Sequence, residues 1–145
     1  MGSVESDLAA DILNKYRNVA IVGASPDSER PSYRVLRYLM KHGYHVMPVN
    51  PNELEILGIT CYPNLTSIPE KVEVVDIFRK SEDVMPIVDE AIRIGAKVVW
   101  MQEGVINEEA AAKARDAGLL VVMDRCMRKE HLKFALSVQK KIRGD

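Results

Sequence analysis

Short apolar runs and longer stretches of helical period take turns along this chain. Runs at residues 19–22, His45–Val49, 72–78, Val98–Met101 and 119–123 are rich in Val and Ile, too short for helices, and each predicts a strand. Between the first two, Val35, Leu36, Leu39 and Met40 mark the buried side of a helix. Pro31 suits its first turn, where a missing N–H is no loss, and His42-Gly43 suits its end. Val84, Ile87, Val88, Ala91 and Ile92 recur at i, i+3, i+4, i+7 and i+8, after a Ser81-Glu82-Asp83 cap and before a Gly95 stop. Asn107 caps an alanine-rich helix that ends at Gly118. Leu8, Ile12 and Leu13 predict a short leading helix, and residues 127–142 a final one with Leu132, Ala135 and Leu136 on one side. Residues 50–69, broken by Pro51, Gly58, Pro63 and Pro69, read as a loop holding one turn of helix.

Strict β-α alternation predicts an α/β fold. The expected architecture is a Rossmann-type, doubly wound sheet of five parallel strands with right-handed crossovers and helices on both faces. A single domain over residues 1–145 is expected, with a core at about 18–127 and a flanking helix at each end. Ligands of such sheets bind at the carboxyl ends of the strands, near the point where strand order reverses. The segments that follow the strands are therefore where chemistry is to be sought.

Composition narrows the classes. Lys+Arg and Asp+Glu number 20 and 21, so charge gives no reason to expect nucleic acid. No apolar run approaches the roughly 20 residues of a membrane span. Residues 1–10 are acidic and unlike a signal peptide. Cys61 and Cys126 are too few for a disulfide framework and lack metal-ligand spacing. A reduced, cytoplasmic protein without a metal site is the expectation.

The first strand leads straight into Gly23-Ala24-Ser25. Here a glycine admits close backbone approach to a phosphate, and the following N–H groups and the Ser25 hydroxyl can meet one. Arg30, at the start of the next helix, can pair with a phosphate in forked geometry. The dinucleotide fingerprint is absent, since no glycine occurs between Gly23 and Gly43. Asn50 also stands where a carboxylate would hold a free ribose hydroxyl, so a phosphorylated ribose is tolerated. The same residues also read as an ordinary tight turn beside a solvated Arg30.

Phe78-Arg79-Lys80, after the third strand, sets an aromatic for base stacking beside two cations, or else a core Phe before a surface pair. After the fourth strand, Gln102 can read a polar edge and the N–H groups around Gly104-Val105 can face a diphosphate. Trp100 reads as core. Asp124-Arg125-Cys126 ends the fifth strand, where Arg125 and a helix start would favour a Cys126 thiolate as a possible redox thiol. His42, His45 and His131 show neither metal nor triad spacing, Glu108-Glu109 serve a helix dipole, and the basic run from Arg128 to Lys141 reads as a solvated face. No catalytic residue is assigned.

Taken together, the V-G-A-S-x4-R-P, V-x-P-V-N-P, V-V-D-x-F-R, V-W-x-Q-x-G-V and D-R-C-M-x-x-E-H motifs resemble the small single-domain CoA-binding proteins, themselves similar to the N-terminal CoA-binding domain of the succinyl-CoA synthetase α subunit. The resemblance spans residues 19–131 with the motifs in order. It implies coenzyme A as cofactor, held by Gly23, Ala24, Ser25, Arg30, Asn50, Phe78, Arg79, Gln102, Gly104 and Val105. The synthetase's second domain, with its phosphorylated histidine, is lacking, so its ligase reaction is not implied. The expected role is to bind CoA or acyl-CoA as a carrier, sensor or regulator. An NAD(P)-linked oxidoreductase, a ligase subunit acting with a partner chain, and an empty scaffold that binds protein through its basic last helix remain as alternatives.

Overall fold

A computed structural model describes residues 4–144. The chain runs through α1 (Val4–Lys15), β1 (Asn18–Val22), α2 (Pro31–Lys41), β2 (His45–Val49), β3 (Glu55–Ile56), β4 (Ile59–Thr60) and β5 (Val74–Ile77). It continues through α3 (Val84–Arg93), β6 (Val98–Met101), α4 (Glu108–Asp116), β7 (Leu120–Val122) and α5 (Met127–Arg143). Five strands form one sheet in the order β2-β1-β5-β6-β7, and every neighbouring pair is parallel. The chain steps from β1 outward to β2, then returns to the other side of β1 and builds the rest. The reversal of strand order therefore lies between β1 and β5.

Side chains alternate across the strands, and each face buries its own cluster. Val19, Ile21, Val74, Val98 and Trp100 pack under α1, α2 and α5, through Ile12, Leu13, Val35, Leu36, Leu39 and Met127. Ala20, Val22, Val75, Ile77, Val99 and Met101 pack under α3 and α4, through Val84, Val88, Ala91, Ala110, Ala111 and Ala114. The small side chains of α4 let it lie close on the sheet. The expected α/β fold with helices on both faces is observed. Among the described residues, no helix is long and apolar enough to cross a membrane.

Several local expectations are corrected. The third main-sheet strand begins at Val74 rather than 72, though Val72 is buried. Residues 50–69 contain, besides the 3-10 turn Leu65–Ser67, the antiparallel ribbon of β3 and β4. Met40 is on the exposed side of α2, at 37%. On α5 the packed face is Met127, Glu130 and His131, while Leu132 and Leu136 face outward. Ser81 does not cap α3. It lies in a 3-10 turn, Ser81–Asp83, and its Oγ accepts from Ile106 N–H at 2.9 Å, fastening that turn to the loop before α4.

Candidate functional site

A cleft of about 860 Å³ opens at the carboxyl ends of β1, β5 and β6, over the reversal of strand order. That is within the range of small-ligand and cofactor sites, roughly 300–1,000 Å³. Gly23, Ala24, Ser25, Arg30, Asn50, Phe78, Arg79, Gln102, Val105 and Cys126 all line it. Gly104 does not. The cleft also gathers Lys80, the second cation after the third strand, and Ser32, Arg34, Arg128 and Lys129, which sequence reasoning did not assign to a site. Arg128 and Lys129 sit in the first turn of α5, so a run read as a solvated face turns its leading cations to the cleft. A pattern that tests only periodicity carries no signal for this.

The cleft is strongly basic within a chain of formal net charge −1. Arg30, Arg34, Arg79, Lys80, Arg128 and Lys129 face it, against the two acids Asp83 and Glu103. Glu103 is held by Lys129 at 3.0 Å, Arg30 lies 3.9 Å from Asp27, and Arg34 lies 3.8 Å from Glu29. Among the described residues, Arg79, Lys80 and Arg128 form no ion pair. Positive potential in a concave, partly dry site attracts multiply charged anions.

The first loop is built differently from the expected phosphate cradle. Gly23 has φ +89°, and a Cβ there would sit 2.2 Å from the Phe78 carbonyl oxygen. The neighbouring strand end therefore demands glycine here, whatever the cleft holds. The N–H groups of Gly23 and Ala24 both donate to the Val49 carbonyl, at 3.0 and 3.2 Å. Ser25 Oγ accepts from Asp27 N–H at 3.1 Å, and Asp27 accepts from Glu29 N–H at 2.9 Å, so the loop closes on itself. Asn50 locks it from below: its Nδ2 donates to the Ala24 carbonyl at 2.8 Å and its Oδ1 accepts from Asn52 N–H at 2.9 Å.

What stays open is the start of α2. Arg30, its N-cap, makes no side-chain cap, and its first turn holds no acid. The N–H groups of Ser25 and Ser32 find no partner among the described residues, nor does the Ser32 hydroxyl, although Ser32 is only 3% exposed. The loop before α4 is the opposite case. Gly104 N–H donates to Asp124 Oδ1 at 2.7 Å, Val105 N–H to the Gln102 carbonyl at 2.9 Å, and Asn107 caps the helix through Ala110 N–H at 2.9 Å. Gly104 and Val105 themselves thus offer no free N–H to the diphosphate expected around them.

The remaining candidates fall into place around this core. Gln102, 4% exposed, accepts from Met127 N–H at 3.2 Å and so caps α5. Trp100 is fully buried, with its Nε1–H donating to the Arg125 carbonyl at 2.8 Å. Arg125 pairs with Glu5 and Glu130, both at 3.4 Å, and with Asp124 and Cys126 lines a neighbouring depression. None of the three histidines lines the cleft. His131 packs at the seam of α2 and α5, where its Nδ1 bonds the Tyr38 hydroxyl at 2.7 Å. Burial, with His42 and Arg17 nearby, holds its imidazole below the usual range.

Several known proteins resemble this chain. A family model described as a CoA binding domain matches residues 17–132. The uncharacterized protein YneT of Bacillus subtilis is 34% identical over 121 residues, 83% of this chain and 90% of that protein. A hypothetical protein from Pyrococcus horikoshii has a solved structure that superposes with a TM-score of 0.88 at 45% identity, covering 93% of this chain and 97% of that one. The ADP-forming acetate–CoA ligase II of Archaeoglobus fulgidus is 30% identical over 95 residues, 64% of this chain but 14% of the ligase.

Proposed function

The chain belongs to the CoA binding domain family, and on that premise we propose that it binds coenzyme A or acyl-CoA in the basic cleft as a carrier, sensor or regulatory module without chemistry of its own. The observation that carries this reading is the pairing of an uncapped, acid-free α2 N-terminus with unpaired cations around one cleft. CoA presents a diphosphate and a 3′-phosphate. The diphosphate suits the free N–H groups of Ser25 and Ser32 at the positive end of α2. The 3′-phosphate suits Arg79 or Arg30. Neutral Asn50, fixed by two main-chain bonds, ends β2 without the carboxylate that would repel it. Phe78 offers a face to the adenine, and the pantetheine arm then runs along the strand ends toward Gln102 and Cys126. The absence of histidine from the lining, with Glu103 tied to Lys129, supports a binding role over independent catalysis.

Calorimetry with CoA, dephospho-CoA and NAD tests this. One charge-assisted contact to the 3′-phosphate is worth about 1.5–3 kcal/mol, so CoA is expected to bind roughly ten-fold or more tighter than dephospho-CoA. Equal affinities for those two, or a preference for NAD, would sink the idea. A role as a ligase subunit, suggested by the ligase relatives, keeps the same cleft but requires a partner chain.

A further inference from the structure

We infer that Cys126 is a thiol-exchange site that captures the disulfide form of the cleft's ligand, an inference that rests on reading the cleft as a CoA site. Cys126 is the N-cap residue of the 17-residue α5, yet its thiol makes no cap hydrogen bond, while the Gln102 side chain takes the Met127 N–H. Its Sγ makes no hydrogen bond among the described residues, and the residue forms part of the cleft wall. A second observation points to a ligand in that cleft: Ser32, a residue 3% exposed, lines it, and its hydroxyl makes no hydrogen bond among the described residues. Ser32 and Cys126 stand on the walls formed by α2 and α5. Between them lie the ends of β1, β5 and β6, two strand spacings of about 4.8 Å each. A nucleotide thiol anchored by its phosphates at α2 would therefore extend its arm toward Cys126.

The chain's other thiol is built to be inert. Cys61 Sγ lies 3.7 Å from the Asn50 carbonyl and 4.0 Å from that of Tyr62, outside the cleft, and burial pushes its thiol up.

The step balances without a further oxidant. Cys126 sulfur, as thiolate, attacks one sulfur of CoA disulfide, and a new S–S bond forms as the old one breaks. The second CoA leaves as a thiolate and takes a proton from solvent. Cys126 is oxidised by the disulfide, and one ligand sulfur is reduced.

The test treats the full-length protein with CoA disulfide or, at equal concentration, glutathione disulfide, and follows intact mass with peptide mapping. Calorimetry with reduced CoA runs alongside. The expected result is one CoA adduct, mapped to Cys126, absent in Cys126→Ser and kept in Cys61→Ser. It should form at least about ten-fold faster than the glutathione adduct, because docking raises the local disulfide concentration, and excess reduced CoA should suppress it. Equal rates for the two disulfides would mark an accessible thiol without capture and overturn the inference. So would an adduct on Cys61, or no adduct from a protein that binds CoA in the calorimeter. A protein that binds neither form overturns the reading of the cleft itself.

Discussion

Asp76 sits at the centre of β5, between Ile21 of β1 and Trp100 of β6, fully buried and with neither carboxyl oxygen hydrogen-bonded among the described residues. Desolvation pushes its pKa well above the carboxylate range, so the folded protein holds it as the neutral acid. Two consequences are measurable. An unsatisfied buried polar group costs about 1–3 kcal/mol, so Asp76→Val, which suits a strand and removes that burden, should stabilise the fold by that order even at mildly acid pH. The second consequence is a slope. Above the unfolded carboxyl pKa of about 3.9 the unfolded chain loses this proton while the folded one keeps it, so the unfolded state binds one proton fewer. Stability contributed by Asp76 then falls by about 1.4 kcal/mol per pH unit until the folded pKa is reached. His131 acts with the opposite sign, since its lowered folded pKa makes stability rise with pH toward about 6.5. The difference between variant and parent cancels that contribution. Urea denaturation followed by circular dichroism at pH 4.5, 5.5, 6.5 and 7.5 should show the advantage of Asp76→Val widening with pH, and Asp76→Asn should flatten the profile as well. Parallel curves for parent and Asp76→Val, or a variant less stable at every pH, would refute the reasoning and mean that the carboxylate has a partner.

Three further comparisons separate the fold's needs from the ligand's. Gly23→Ala should lose at least about 1 kcal/mol more stability than Gly95→Ala. Both carry the positive-φ penalty of about 1–2 kcal/mol, but only the Gly23 methyl meets a carbonyl, at 2.2 Å. Equal losses in chemical denaturation would mean the β5 end gives way freely. Asn107→Ala should cost about 1 kcal/mol through the lost N-cap of α4, and an unchanged denaturation midpoint would contradict it. Arg79→Ala should weaken CoA roughly ten-fold and flatten the salt dependence of binding, whereas Arg30→Ala, exposed and already near Asp27, should do less. Calorimetry at two ionic strengths distinguishes them, and the reverse order would move the 3′-phosphate to α2.

The five strands and five helices were legible because each is dictated by its own residues: Val-rich runs for the sheet, threefold and fourfold spacing for the helices, glycines at the reversals. The β3–β4 ribbon was not, since two-residue strands are too short to leave a periodic trace. The outward-facing side of α5 misled for a related reason. Leu132 and Leu136 have the right spacing for a buried face, but His131 and Glu130 carry the packing, through the Tyr38 hydroxyl and Arg125. The place of the cleft could be read from β-α alternation, because parallel sheets leave their open crevice at the carboxyl ends. Its hydrogen-bond bookkeeping could not. The reason for Gly23 lies in Phe78, and the partner of Gly104 is Asp124, and neither is a sequence neighbour.

Yet one local cue does discriminate between the two loops that competed for the phosphates. The segment before α4 reads Asn107-Glu108-Glu109, a side-chain cap followed by two carboxylates, which both satisfy and neutralise that helix end. The segment before α2 reads Arg30-Pro31-Ser32, with no cap, no acid, a proline that donates nothing, and a serine hydroxyl that lines the cleft without a partner among the described residues. A helix end already closed by its own residues offers an anion little, and one left open beside cations offers it donors, dipole and charge together. Of these two helix starts, the one before α4 is closed by its own residues, and the one before α2 stays open beside the reversal of strand order.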